Sequence, residues 1–348
     1  MIEQTTIRDI AILWQQSRLT LTGEYIVAPE ILRVHGSPIG TLGNFSASIG
    51  KAKSKKTFNV SAIVAAALKN GDVLQYVAEL PENKRKILYV DTEQSPYHCQ
   101  KVMKRIVHMA GLPLDVEPKN LDFLTLRRQT PEFRIAIVEK AIYSTENLGL
   151  VIIDGIRDMV YDINSPSEAT KMISKLMQWT DERQIHIHTI LHQNKADENA
   201  RGHIGTELNN KAETVLEIAK DKFDGSISTV QAIHIRAIDF QSFAFRINDD
   251  ALPELVEEYS FEKTKKENQS FDYSELKSEQ HKQALEVAFP ELEHYGYNDL
   301  IKALKGGYMT IGCNFGENKI VKLKTFLENK RMILKNGKKY RFNPEYHF

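Results

Sequence analysis

Short apolar runs recur along the first two thirds of the chain, and stretches of helical length separate them. Residues 45–49, 87–90, 123–126, 150–153, 187–191, 215–218 and 230–235 are such runs. They are too short for buried helices and rich in Val, Ile and Leu, so they predict strands. Residues 58–69, 96–110, 131–143 and 166–180 predict helices, the last three opening on a proline that suits a first helical turn. Apolar strands alternating with helices imply an α/β fold, a mainly parallel sheet covered on both faces. The turn pair Asp224-Gly225 precedes the last strand, which reads as an antiparallel extension. Ile7, Ile10, Ala11 and Trp14 recur at helical spacing and predict an N-terminal amphipathic helix that packs on the core.

Beyond Pro253 the pattern changes. Residues 257–270 are polar and charged, as in a linker, which divides the chain into a domain over 1–256 and a second over 271–348. In the second, residues 297–305 and 317–330 predict amphipathic helices. Ile320, Leu323 and Leu327 form the apolar stripe of the latter, and Asn336-Gly337 marks a hairpin turn.

Charge sharpens this division. Lys+Arg and Asp+Glu both number 46, so the whole chain has no electrostatic bias towards any partner. Residues 296–348, however, hold 11 Lys+Arg against 4 Asp+Glu, a local footprint suited to nucleic acid. The two cysteines, Cys99 and Cys313, lie outside any metal-ligand spacing and read as buried thiols of a reduced compartment. No apolar run is long enough to span a bilayer and no leader pattern opens the chain, so a soluble cytoplasmic protein without a membrane partner is expected.

The densest chemistry lies between the first predicted core strand and its helix. Gly50-Lys51-Ala52-Lys53-Ser54-Lys55-Lys56-Thr57 follows the GxxxxGK[ST] pattern except that Lys55 stands at the second glycine. In a strand-loop-helix unit, backbone N–H groups and the helix N-terminus converge on one point and hold phosphate oxygens. Lys56 is then placed for the β- and γ-phosphates of ATP, and the Thr57 hydroxyl for Mg²⁺. Strand 150–153 ends in Asp154, a carboxylate positioned for the same Mg²⁺. Strand 87–90 leads into Asp91-Thr92-Glu93, where Glu93 is placed to deprotonate an attacking water. Asp91 and Asp154 taken singly are also ordinary strand-ending turn residues. Their order after a phosphate loop argues for a nucleotide site.

That order, a phosphate loop, then strand-Asp-Thr-Glu, then apolar strand-Asp, resembles the RecA-like P-loop ATPases over about residues 30–250. Within them it looks most like the RepA-type hexameric replicative helicases of plasmids and mobile elements. The resemblance implies that Glu93 is the catalytic carboxylate, that Asp154 binds Mg²⁺, and that His192 or Gln193 senses the γ-phosphate. It further implies that residues 196–208 form a mobile loop facing single-stranded DNA, with Lys195, Arg201 and His203 as contacts. Arg236 takes the place of an arginine that reaches a neighbour's nucleotide, with Arg201 and Lys211 as alternatives. A ring or filament of identical subunits follows. The C-terminal segment is similar to winged-helix modules, which implies duplex DNA contacts by Lys319, Lys322, Lys324, Lys335, Lys338, Lys339 and Arg341. The expected activity is a DNA-dependent ATPase, a helicase or replication-initiation motor. The alternatives are a DNA-coating ATPase and a nucleotide-switched DNA-binding regulator.

Overall fold

The computed structural model describes residues 7–25, 27–193, 200, 202–257, 259, 261, 273, 276–290, 294–313, 315–343 and 345–346. The chain divides into two compact units, Met1–Tyr259 and Ser260–Phe348. In chain order the first unit holds α1 (Ile7–Gln16), β1 (Glu30–Val34), β2 (Ser37–Thr41), β3 (Phe45–Gly50), α2 (Lys56–Lys69), β4 (Asp72–Val73) and β5 (Tyr76–Ala78). There follow β6 (Lys86–Asp91), α3 (Pro96–Met109), β7 (Leu121–Thr125), α4 (Pro131–Ser144), β8 (Leu148–Asp154) and α5 (Pro166–Arg183). It closes with β9 (His186–His192), α6 (Gly202–Lys211), β10 (Thr214–Lys220), β11 (Ile227–Ile235), β12 (Phe243–Ile247) and β13 (Pro253–Leu255).

The main sheet has nine strands in the order β13-β12-β11-β10-β3-β9-β8-β6-β7. From β10 to β7 every pairing is parallel; β11, β12 and β13 extend the sheet antiparallel. Period-two alternation splits each central strand between two cores. Ile87 and Tyr89 of β6 and Leu150 and Ile152 of β8 face one core with α2 and α3. Leu88, Val90, Val151 and Ile153 face the other with α4, α5 and α6. Burial on both faces is why these strands are continuously apolar, each aliphatic side chain contributing about 2 kcal/mol. The consequence for function is geometric. The C-terminal ends of β3, β9, β8 and β6 are neighbours, so whatever leaves them shares one edge of the sheet.

Several expectations are corrected. The strand expected at 123–126 is β7 at Leu121–Thr125, because its ladder with β6 runs from Ile87–Leu121 to Asp91–Thr125. A four-stranded sheet, β2-β1-β5-β4, was not foreseen. The α1 helix forms, but Ile10, Leu13 and Trp14 are exposed rather than packed on the core. Residues 202–208, expected as part of a mobile loop, belong to α6, because Ile204 and Leu208 lie four apart and both bury in the core. Both cysteines are free and buried. Among the described residues no helix is long and apolar enough to cross a membrane.

In the second unit α7 (Ser278–Ala288), α8 (Tyr297–Thr310) and α9 (Glu317–Asn329) precede a hairpin of β14 (Ile333–Asn336) and β15 (Lys339–Phe342). Leu300, Leu304, Ile320, Leu323 and Leu327 share one core with Leu285 and Tyr340. Tyr295, between α7 and α8, bridges to Tyr340 through two backbone hydrogen bonds of 3.0 and 2.9 Å, adding a third strand segment to the hairpin. The turn lies one residue later than Asn-Gly predicts. Asn336 pairs with Lys339, and Gly337 takes the positive φ of 64°, as a Gly-first two-residue turn requires.

Candidate active site

The phosphate loop leaves β3 at Gly50, where backbone crowds the site. A Cβ there would lie 2.2 Å from the Ile218 carbonyl oxygen and 2.6 Å from Ser54 Oγ. Lys55, at the position normally held by glycine, adopts the left-handed conformation a glycine would, with φ 66°. Its amine donates to the Ser226 carbonyl at the β10–β11 turn, and burial lowers its pKa. The loop thus keeps its backbone path at a conformational cost of about 1 kcal/mol.

Lys56 opens α2 and folds back over the loop. Its Nζ donates to the carbonyl oxygens of Gly50 at 2.8 Å and Lys51 at 3.0 Å, and lies 3.1 Å from His192 Nδ1. Burial lowers its pKa to about 8, against the opposing pull of Asp154 and Glu93. Ser54 Oγ is buried and has no hydrogen-bond partner among the described residues, a donor of the kind a phosphate oxygen satisfies.

Two carboxylates face this lysine. Asp154, at the end of β8, accepts a hydrogen bond from the Tyr89 hydroxyl at 2.9 Å and lies 3.5 Å from Thr57 Oγ1. Burial, then the nearby Asp91, raises its pKa to about 7. Glu93 is presented by a turn built on the buried Asp91 carboxylate, which accepts from Glu93 N at 2.9 Å and from Gln94 N and Nε2 at 2.7 Å. Thr92 Oγ1 lies against the carbonyl oxygens of Asp154 (3.0 Å) and Gly155 (3.1 Å) and so joins the two strand ends. Gly155 has φ +98°, and a Cβ there would lie 2.2 Å from Thr92 Oγ1.

His192 connects the two sides. Its Nε2 is 3.7 Å from Glu93 Oε1. A protonated Lys56 donates to Nδ1, which leaves the ring proton on Nε2, facing Glu93. His192 is the chief cause holding the Glu93 carboxyl below its ordinary pKa, with Lys56 and Arg157 adding to it. Of the two residues proposed as sensors, then, His192 lies in the cavity. Gln193 is buried and directed away, its amide donating to Glu217 on β10.

The cavity has a volume of about 290 Å³ and is lined by the loop, Glu93, Asp154, His192 and one face of α3. On that face His98, Lys101 and Arg105 were missed by the sequence reading, although their i, i+3, i+7 spacing is a legible signal. Arg105 lies 3.7 Å above the Phe58 ring and donates to the Ala251 carbonyl at 3.2 Å.

Other candidates lie elsewhere. Arg236 is exposed and donates to the Lys211 carbonyl at 3.2 Å. The preceding Ile235 pairs with Thr214, which pairs with Ser46, placing Arg236 at the end of the sheet opposite Gly50 and away from the cavity. Lys195 and Arg201 lie outside the described residues, as does most of the expected linker. His203 is exposed at the start of α6. In the second unit Lys322, Lys335, Lys338 and Lys339 are exposed, Lys319 lies 5.0 Å from the Phe315 ring, and Arg341 is half-buried on β15. Lys324 differs from these: it is paired with Glu328 at 2.7 Å and lies 5.3 Å from the Tyr340 ring, occupied within its own fold.

A mostly parallel sheet, a loop-to-helix phosphate site and paired strand-end carboxylates together define a P-loop ATPase. The AAA domain family matches residues 18–198, just over half of the chain, and the chain belongs to that family. It is also similar to the crystal structure of the RadB recombinase, at 16% identity and a TM-score of 0.44 over 62% of this chain and 92% of that one. A comparison with curated proteins found no match.

Proposed function

We infer that this ATPase is a DNA-dependent motor, a helicase or replication-initiation ATPase of a plasmid or mobile element. The element context rests on the motif order alone. One observation supports hydrolysis above the others: Glu93, His192 and Lys56 form a continuous array across the cavity, with contacts of 3.7 and 3.1 Å. In this reading the 50–57 loop and Lys56 hold the ATP phosphates, and Glu93, ionised at neutral pH, takes the proton of the attacking water. His192, hydrogen-bonded to Lys56, responds to the γ-phosphate that Lys56 engages. The oxygen donors Thr57 and Asp154, 3.5 Å apart, fit Mg²⁺, which when bound neutralises charge developing on the phosphates.

Arg236 completes a neighbour's site in a ring or filament, in keeping with its place at the far end of the sheet. The second unit serves as a winged-helix duplex-binding module, with Lys322 of α9 and the exposed lysines of the β14–β15 wing reaching phosphates. The Tyr295–Tyr340 bridge favours this topology. Strand separation on forked DNA, coupled to ATP turnover, tests the helicase. Turnover without strand release would indicate a DNA-coating ATPase.

Lys55 favours a second reading. A lysine in a left-handed conformation, tethered to the β10–β11 turn, is suited to a slow loop in a nucleotide-switched DNA-binding regulator. That reading predicts ATP-sensitive binding to a defined duplex, negligible turnover, and function that survives Glu93→Gln.

A further inference from the structure

Beside Glu93 the cavity is lined by a half-buried, uncharged side chain, Gln94. It sits where β6 passes into α3, and the strand end beneath it is fixed. Thr92 N donates to the Asp154 carbonyl oxygen at 3.1 Å and Leu126 N to that of Asp91 at 2.8 Å. The Asp91 side chain is fully buried and receives three N–H donors. Its Oδ1 takes Glu93 N at 2.9 Å and Gln94 N at 2.7 Å, and its Oδ2 takes Gln94 Nε2 at 2.7 Å. A carboxylate accepts at both oxygens, so the amide meets it nitrogen first. Gln94 Oε1 is thereby turned away from Asp91, and no donor reaches it among the described residues. One buried carboxylate thus shapes the turn that presents Glu93 and fixes which end of the neighbouring amide is left free.

A free acceptor at this place has a use. The attacking water carries two protons and Glu93 takes one; the lone pair that attacks is aimed only when the second O–H is held as well. Lys56, Lys101 and Arg105 are donors alone, and the oxygens of Thr57 and Asp154 are those suited to Mg²⁺. We propose that Gln94 is a catalytic residue whose Oε1 holds the second proton of the attacking water, and that Asp91 is the positioning residue that fixes its amide. The proposal rests on the hydrolytic reading of Glu93. In that step the water oxygen bonds to the γ-phosphorus and one water proton passes to Glu93, which later returns it to solvent. The bond from the γ-phosphorus to the β–γ bridging oxygen breaks, and ADP and phosphate leave. Gln94 keeps the other O–H hydrogen-bonded and exchanges no proton.

The test is steady-state ATP hydrolysis by the full chain, with ATP affinity measured by titration calorimetry. Gln94→Met, similar in length but without the amide, lowers kcat about tenfold or more and leaves ATP affinity within about twofold, as expected of a contact made in the transition state. In Asp91→Asn the remaining oxygen still accepts both backbone N–H groups, but the new amide nitrogen faces Gln94. The Gln94 amide then flips and presents nitrogen to the cavity, so kcat falls about as far. Gln94→Glu alone sets two carboxylates against each other and is slow too. Combined with Asp91→Asn it restores the pattern: one carboxylate oxygen accepts from the new amide, the other faces the cavity, and net charge is unchanged. The double variant is expected within about threefold of wild-type kcat. A merely structural role would make it no better than either single variant, and that result overturns the pairing. Unchanged kcat in Gln94→Met, or a raised KM with kcat intact, overturns the catalytic role and leaves Glu93 standing as the base. Wild-type protein that binds ATP without turnover sinks both.

Discussion

Lys55 shows how one side chain and one backbone angle separate two readings of the same loop. Its φ of 66° already supplies the path a glycine would take. Lys55→Gly is therefore expected to keep ATP affinity within about twofold and to leave stability unchanged or raised by up to about 1 kcal/mol. Lys55→Val, branched at Cβ, is expected to cost about 2 kcal/mol and to weaken nucleotide binding. Titration calorimetry and denaturant melts check both. The site's pH response follows from its two most shifted groups. As pH falls through about 7, Asp154 takes up a proton and loses its hold on a cation; as pH rises through about 8, Lys56 loses the charge that attracts phosphate. Affinity for Mg-ATP in the free protein is thus expected to peak between these values. Tyr89→Phe removes a hydrogen bond that stabilises the Asp154 carboxylate, so it moves the acid limb to higher pH. An unmoved limb would show that Asp154 does not govern it.

At the scale of elements, the strand ends are locked to one another rather than placed singly. Gly155→Ala drives a methyl into Thr92 Oγ1 at a positive φ. It is expected to cost about 2 kcal/mol or more and to reduce turnover by displacing Glu93, as measured by urea unfolding and steady-state kinetics. The central strands and the carboxylates that end them were legible because burial on both faces writes continuous apolar runs. Elements that lack such a face were not. The strands β4 and β5 have two and three residues, too few to show alternation. The α6 helix buries only Ile204, Gly205 and Leu208 within a polar sequence, so its pattern reads as a loop. The α1 helix shows the converse: helical spacing announces a helix and says nothing of what covers it. Gln193 and His192 are equally polar in sequence. Only the fold shows that strand alternation turns one into the cavity and the other towards Glu217.

Across the whole molecule, neutral net charge conceals a basic second unit and a buried polar column in the first. His186 and His188 on β9 lie inside the core with Ser46 and Ser48 of β3, at 2.7 to 2.8 Å. Burial lowers the pKa of both, that of His188 to about 3. Their folded pKa values lie below the unfolded value of about 6.5, so they favour the folded state fully above that pH. Below it the unfolded chain binds protons the fold refuses, and His188 removes about 1.4 kcal/mol of stability per pH unit, with His186 acting in the same direction. Melts between pH 7 and 5 are therefore expected to show an early acid loss, absent if the column does not control acid stability. A motor differs from a nucleotide-held switch in turnover. ATP hydrolysis by the purified protein, with and without single-stranded DNA and beside Lys56→Ala and Glu93→Gln, is the most direct test. Hydrolysis is expected to rise with single-stranded DNA and to disappear in both variants, Glu93→Gln still binding ATP. Tight ATP binding without turnover in the wild-type protein would contradict it and make the chain a nucleotide-switched binder of DNA.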